Sequence, residues 1–124
     1  METRTQIPRS ILTVLNQLYE LEQKLKKQGD PSNFSRNVGK MKDAFAEEGL
    51  PDINGGRICL AYEDPMGMPF RETRTDLEVT ISGTGTDSLV VVEVIKPIIR
   101  AKIMDGVSHI VQKGIVIVES QKER

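Results

Sequence analysis

The chain has one cysteine, one histidine and no tryptophan. A single cysteine excludes an intrachain disulfide framework and suits a reducing compartment. A single histidine makes any metal site depend on carboxylates or Cys59, and neither HExxH nor CxxC spacing occurs, so no metal or other cofactor is expected. Aromatics are 4% of residues against 38% hydrophobic overall, so a core must be packed from Leu, Ile, Val and Met. No apolar run approaches the roughly 20 residues that span a bilayer, and METRTQIPRS lacks the apolar centre of a signal peptide. The expectation is a cytoplasmic protein with no membrane partner. The formal charge of −1 offers no surplus of Lys and Arg to neutralise phosphates, which disfavours nucleic acid as a partner. A chain of 124 residues suits one compact domain or two very small parts, because a piece of fifty residues alone is marginal.

What is present is a change of period at residues 45–53, FAEEGLPDI. Helical spacing stops at Gly49 and strand-like sequence follows, an order that predicts an α+β architecture rather than alternating βαβ units. The expected division is a helical region at residues 1–50 and a small, mostly antiparallel β domain at 51–124.

The first helix is predicted from Pro8 to about Gln28, ended by Gly29, Asp30 and Pro31. Ile11, Val14, Leu15, Leu18, Leu21 and Leu25 form one stripe, widened by Leu12 and Tyr19. The opposite face carries Gln17, Glu20, Lys24 and Lys27, which solvate it. The second helix is bracketed by Ser32 or Asn33 as the cap and Gly49 as the stop, with Phe34, Val38, Met41, Phe45 and Glu48 at successive turns. Two amphipathic helices on so small a scaffold leave apolar area uncovered. The expectation is therefore a helical hairpin that pairs with a second copy as a four-helix bundle, a homodimer with Ile11, Leu15, Leu18 and Phe45 at its interface.

Downstream, RICLAY and LEVTIS read as half-buried strands separated by the turn-rich EDPMGMPF. SLVVVEVI is more continuously β-branched and is broken by Pro97. Asp105-Gly106 signals a hairpin turn, VSHIV and IVIV complete five or six strands, and Lys113-Gly114 marks a bulge between them. Gly83-Thr84-Gly85-Thr86 reads as an exposed loop rather than a phosphate loop, because a strand follows it where a helix N-terminus is required.

Constellations for catalysis are weak, and the chain is not expected to be an enzyme. Cys59 sits between Ile58 and Leu60 as a small hydrophobe without a base. Glu63 and Asp64 read as a polar turn beside Pro65, and His109 as a surface or structural residue. Lys96, Pro97, Arg100, Lys102, Met104, His109, Gln112 and Lys113 have two readings, a docking surface for an acidic or mixed partner or the solvation of an edge strand.

The order of segments resembles the GrpE family, the nucleotide exchange factors of DnaK-type chaperones. ILTVLNQLYELEQKL stands where the family has a helix reading like LLPVLDNLERAL, and MKDAFAEEGLPDI where it has LKKFGVEEI. MGMPF is similar to its GEPFDP segment, SLVVVEVI to its TVVEVLQ strand and GIVIVES to its closing AMVVVS strand. RETRTDL replaces the family's DPNxHEA, Lys96-Pro97-Ile98-Ile99 replaces QKGY, and HIVQKGIV replaces RVLRPAMV, with His109 and Gln112 at arginine positions. About seven residues precede Pro8, so the resemblance implies a divergent or truncated member without the family's long N-terminal helix. It further implies a co-chaperone whose β domain binds the ATPase domain of a DnaK-type chaperone and promotes ADP release. The contacts it implies are Lys96, Arg100, His109, Gln112 and Lys113, with Ile95 and Val111 as apolar support. The alternative is a dimeric protein-binding adaptor without exchange activity.

Overall fold

A computed structural model of the chain describes residues 7–52, 55–103 and 106–121. Helix α1 covers Arg9–Gln28, with Pro8 at its N-cap and Gly29, at φ 86°, donating its N–H to the Leu25 carbonyl to close it. Helix α2 covers Phe34–Asp43 and widens into a π-helical turn over Ala44–Glu48. That turn closes when the Gly49 N–H donates to the Ala44 carbonyl at 2.9 Å. Gly49 sits at φ 69°, and a Cβ there would lie 2.5 Å from the Ile58 carbonyl oxygen. Only glycine satisfies both the backbone conformation and the close approach.

Among the described residues seven strands follow: β1 Leu50–Pro51, β2 Arg57–Glu63, β3 Leu77–Ser82, β4 Leu89–Lys96, β5 Ile98–Lys102, β6 Ser108–Gln112 and β7 Gly114–Ser120. They form two sheets, one ordered β1-β2-β5-β6 and one ordered β3-β7-β4. β1 pairs antiparallel with β2, β4 antiparallel with β7, and β3 parallel with β7. The chain divides into two compact units. One holds the chain up to Tyr62 together with Arg100–Val111, and the other Glu63–Ile99 with the chain from Gln112 onward.

In the first unit Leu15, Leu18, Tyr19 and Val38 of the helices are buried, as are Ile58, Leu60 and Tyr62 on alternate positions of β2. The Tyr19 and Tyr62 rings meet edge to face at 5.8 Å between centroids. In the second unit Leu77, Leu89, Val91, Ile98, Val116 and Val118 form the core, with Phe70, Val79 and Val94 packed on it. Leu77, Val79, Leu89, Val91, Val94, Val116 and Val118 of this group lie on the three-stranded sheet, whose outward positions are Glu78, Thr80 and Ser82 on β3 with their β7 partners Ile115, Ile117 and Glu119.

The expected architecture is corrected here. Among the described residues there are two helices and seven strands in two sheets, and no dimeric four-helix bundle built from a helical hairpin. The physical reason lies in the stripe of α1. Leu15 is 0% and Leu18 5% exposed within a single chain, because the helices find their apolar cover in their own chain, where Tyr19 meets Tyr62 of β2. Ile11 and Phe45 are half-buried in the same chain. Within the β part β3 runs parallel to β7, whereas β1 with β2 and β4 with β7 pair antiparallel. Two strands were not anticipated. β1 has only two residues, and Ile98, Ile99 and Ala101 of β5 are all buried, so neither shows the alternation that marks a half-buried strand.

Candidate protein-binding surface

The residues nominated from sequence lie along the junctions between β4 and β5 and between β6 and β7. β4 carries two register shifts against β7, between Val91 and Glu93 and between Val94 and Lys96. The second makes Ile95 the extra residue of a bulge, and its side chain is 51% exposed. A bulge re-aims side chains, which accounts for a large aliphatic residue facing solvent. Lys96 ends the strand, exposed, and the buried Pro97 breaks it before β5.

The second junction is fastened to the first. Gln112 Nε2 donates to the Pro97 carbonyl at 2.9 Å, and the Gly114 N–H donates to the Asp76 carbonyl at 2.9 Å. A Cβ on Gly114 would lie 2.9 Å from Ile98 Cγ1 and from Leu77 Cδ2, so glycine permits this close approach. Lys96 pairs with Ile115 in register, and Lys113 precedes Gly114, exposed. Ile95, Lys96, Gln112 and Lys113 are therefore brought to one corner of the second unit. Gln112 uses its amide to hold that corner together.

Arg100, His109 and Val111 belong to the first unit. Arg100 and Val111 are half-buried and His109 is exposed on β6. Beside them on or next to β6, Val107 is 48% and Ile110 37% exposed. Both fall within VSHIV, which the sequence marks only as a strand. The hairpin signal at Asp105-Gly106 falls partly outside the described residues, although the Ile103 N–H donates to the Val107 carbonyl at 3.2 Å across it.

Other chemistry is sparse. Among the described residues no three His, Cys, Asp or Glu side chains gather as a metal site. Cys59 is half-buried, and its thiol lies 3.8 Å from the Glu47 carbonyl. A cleft of about 510 Å³ is lined by Ala46, Gly55, Gly56, Arg57, Cys59, Lys102, Ile103 and Gly106, without a base positioned on the thiol. Among the described residues no helix is long and apolar enough to cross a membrane.

One buried cluster was missed from the sequence. The Tyr62 hydroxyl is enclosed and makes no hydrogen bond of ordinary geometry. Burial first, and then the neighbouring Glu22 carboxylate, push its pKa above the usual phenol value. The Lys42 ammonium lies 4.7 Å from the Tyr62 ring centroid and 3.6 Å from Glu22 Oε2. The members are spread over forty residues of chain, so no local pattern announces them.

The structure also brings together segments that are far apart in sequence. Met66–Phe70 runs along the outer side of β4: the Gly67 N–H donates to the Val91 carbonyl, the Val91 N–H to the Met68 carbonyl and the Phe70 N–H to the Leu89 carbonyl, at 2.8–2.9 Å. Pro69 forms a bridge with Val90. Comparison of the chain with protein-family models, curated proteins and solved structures finds no match in any of the three.

Proposed function

We propose that this chain is a GrpE-like co-chaperone, a non-catalytic protein that binds the ATPase domain of a DnaK-type chaperone and promotes release of ADP. The observation that carries this reading is the convergence of three of the resemblance phrases. MGMPF, SLVVVEVI and GIVIVES lie side by side in one unit, as the strap at Met66–Phe70, strand β4 and strand β7. Short phrases scattered along a chain mean little singly, whereas phrases that pack side by side in one sheet support the resemblance jointly.

The chemistry required is differential binding. A protein that binds the open cleft of the ATPase domain more tightly than the closed one shifts the population toward open, and each tenfold preference corresponds to about 1.4 kcal/mol. No catalytic residue is needed. The corner made by Ile95, Lys96 and Lys113 offers an exposed aliphatic side chain flanked by two ammonium groups, a composition suited to an acidic partner surface. Arg100 and His109 are the contact candidates of the other unit.

The test is the rate of release of a fluorescent ADP from a DnaK-type chaperone, with and without the protein, alongside the affinity of the pair. Lys96→Glu combined with Lys113→Glu should weaken binding and slow release together, with the thermal unfolding midpoint kept because both side chains are exposed. Binding without faster ADP release would favour the adaptor reading. Unchanged binding and exchange in the double variant would remove this corner as the contact surface.

A further inference from the structure

The sheet β3-β7-β4 has two edges, and they are treated differently. The outer side of β4 is occupied by Met66–Phe70, with a proline at its centre. Strand β3 is paired on one side only, to β7, through the continuous parallel register Leu77–Ser82 with Gly114–Glu119. Among the described residues no other backbone group bonds to it. In a paired strand alternate residues turn their N–H and C=O away from the partner, so β3 presents a row of unsatisfied donors and acceptors. Natural edges are usually blunted by proline, lysine or a bulge. β3 has none of these: its sequence is LEVTIS, and its register with β7 contains no shift. Glu78, Thr80, Ile81 and Ser82 are exposed in the whole chain, Ile81 at 45%.

The side chains next to this edge specify a ligand. The inward face continues Leu77, Val79 and Ile81, an apolar row whose outer end is uncovered. On the outward face Glu78 lies on the edge strand itself and Glu119 on β7 beside Ser82, whereas Glu93 and Lys96 lie on β4, at the far side of the sheet from this edge. An added strand would set alternate residues against these two rows. We infer that β3 is a docking edge for an extended peptide that alternates apolar and basic residues, adding as a fourth strand beside β3. Backbone hydrogen bonds supply the affinity, and the apolar row together with Glu78 supplies selectivity. The inference does not depend on the chaperone reading, since it concerns the unpaired side of β3 and not the side chains of Ile95, Lys96 and Lys113.

The experiment is a fluorescence anisotropy titration of the full chain with a labelled, end-capped Lys-Val-Lys-Val-Lys-Val peptide, with the Glu-Val-Glu-Val-Glu-Val peptide as comparison. Amide hydrogen exchange is followed in parallel. The lysine peptide should bind saturably and the glutamate peptide more weakly, with new protection confined to Leu77–Ser82. Glu78→Lys should reverse that preference and weaken the lysine peptide by roughly tenfold, since a lost attraction is joined by a like-charge repulsion. Retained exchange protection in β7 shows that this variant is folded. Absence of saturable binding, protection at another segment, or indifference to Glu78→Lys would overturn the inference. So would concentration-dependent protection of the same amides without peptide, which would assign the edge to a second copy of the chain.

Discussion

Tyr62 ties the helices to β2 with both its ring and its hydroxyl, and the two contribute with opposite sign. The ring is buried against Tyr19 and covered by Lys42, contacts worth about 0.5–1.5 kcal/mol each for aromatic pairs and somewhat less for a partly exposed cation. The hydroxyl is enclosed without a hydrogen bond of ordinary geometry, and such a group costs about 1–3 kcal/mol. Tyr62→Phe keeps the ring and removes the orphan, so stability to urea at neutral pH should rise by about 1 kcal/mol. The folded state also holds the phenol protonated beyond its ordinary pKa of 10.0. A group whose pKa is raised on folding contributes stability that is full below its unfolded pKa and is lost as pH rises through the folded one. Wild-type stability should therefore fall above about pH 10 more steeply than that of Tyr62→Phe. Parallel pH profiles would mean that Tyr62 is not the group responsible.

At the scale of elements, the start of α2 shows how a cap can be supplied from outside the expected position. Ser32 and Asn33 are the local candidates, but Asn33 adopts a left-handed conformation at φ 57° and makes no side-chain cap. The turn Asp30–Asn33, closed by the Asn33 N–H on the Asp30 carbonyl at 3.1 Å, instead swings Asp30 over the helix start. Its carboxylate accepts from the N–H groups of Phe34 at 2.6 Å and Ser35 at 2.9 Å. A side-chain hydrogen bond with Ser35, followed by the backbone bonds, holds its pKa below the ordinary 3.8. A lowered carboxylate pKa contributes stability above the unfolded value and loses it as pH falls through the folded one. Asp30→Ala should thus reduce helical circular dichroism and the unfolding temperature at pH 7, with the two proteins converging as the solution is acidified below pH 3.8. A difference that persists undiminished in acid would show that the carboxylate's charge is not what caps the helix.

For the whole molecule, the decisive point is that two compact units are built from interleaved stretches of one chain. The first takes both helices, β2 and most of β5 and β6, and the second takes the sheet β3-β7-β4. Leu15 is fully enclosed, so Leu15→Ala should cost about 2–5 kcal/mol in chemical denaturation, with the cost set by how far the cavity collapses. Val14, its neighbour, is 44% exposed, and Val14→Ala should shift the midpoint by less than about 0.5 kcal/mol. Equal effects at the two positions would contradict burial of the α1 stripe within its own chain.

Sequence alone determined the elements whose signals are local. Pro8 and Gly29 bound α1, Gly49 ends the second helix, Pro97 separates β4 from β5, and the alternation in LEVTIS gives β3 from Leu77 to Ser82. Each rests on a residue that restricts its own backbone or on a period readable within one segment. Tertiary structure decided what those segments meet. The breadth of the helical stripes said only that cover was needed, and the chain itself supplies it, α1 against α2 and Tyr19 against Tyr62 of β2, where the expectation was a second chain. The strand Ile98–Lys102 lacks alternation because its first residues are buried whichever way they face, and the parallel pairing of β3 with β7 joins segments more than thirty residues apart. The corner that joins Lys96 to Lys113 depends on the Gln112–Pro97 hydrogen bond, and the open edge of β3 depends on sheet order. Both are long-range choices, set by which surfaces exclude the most water together, and that is a property of the folded chain rather than of any stretch of it.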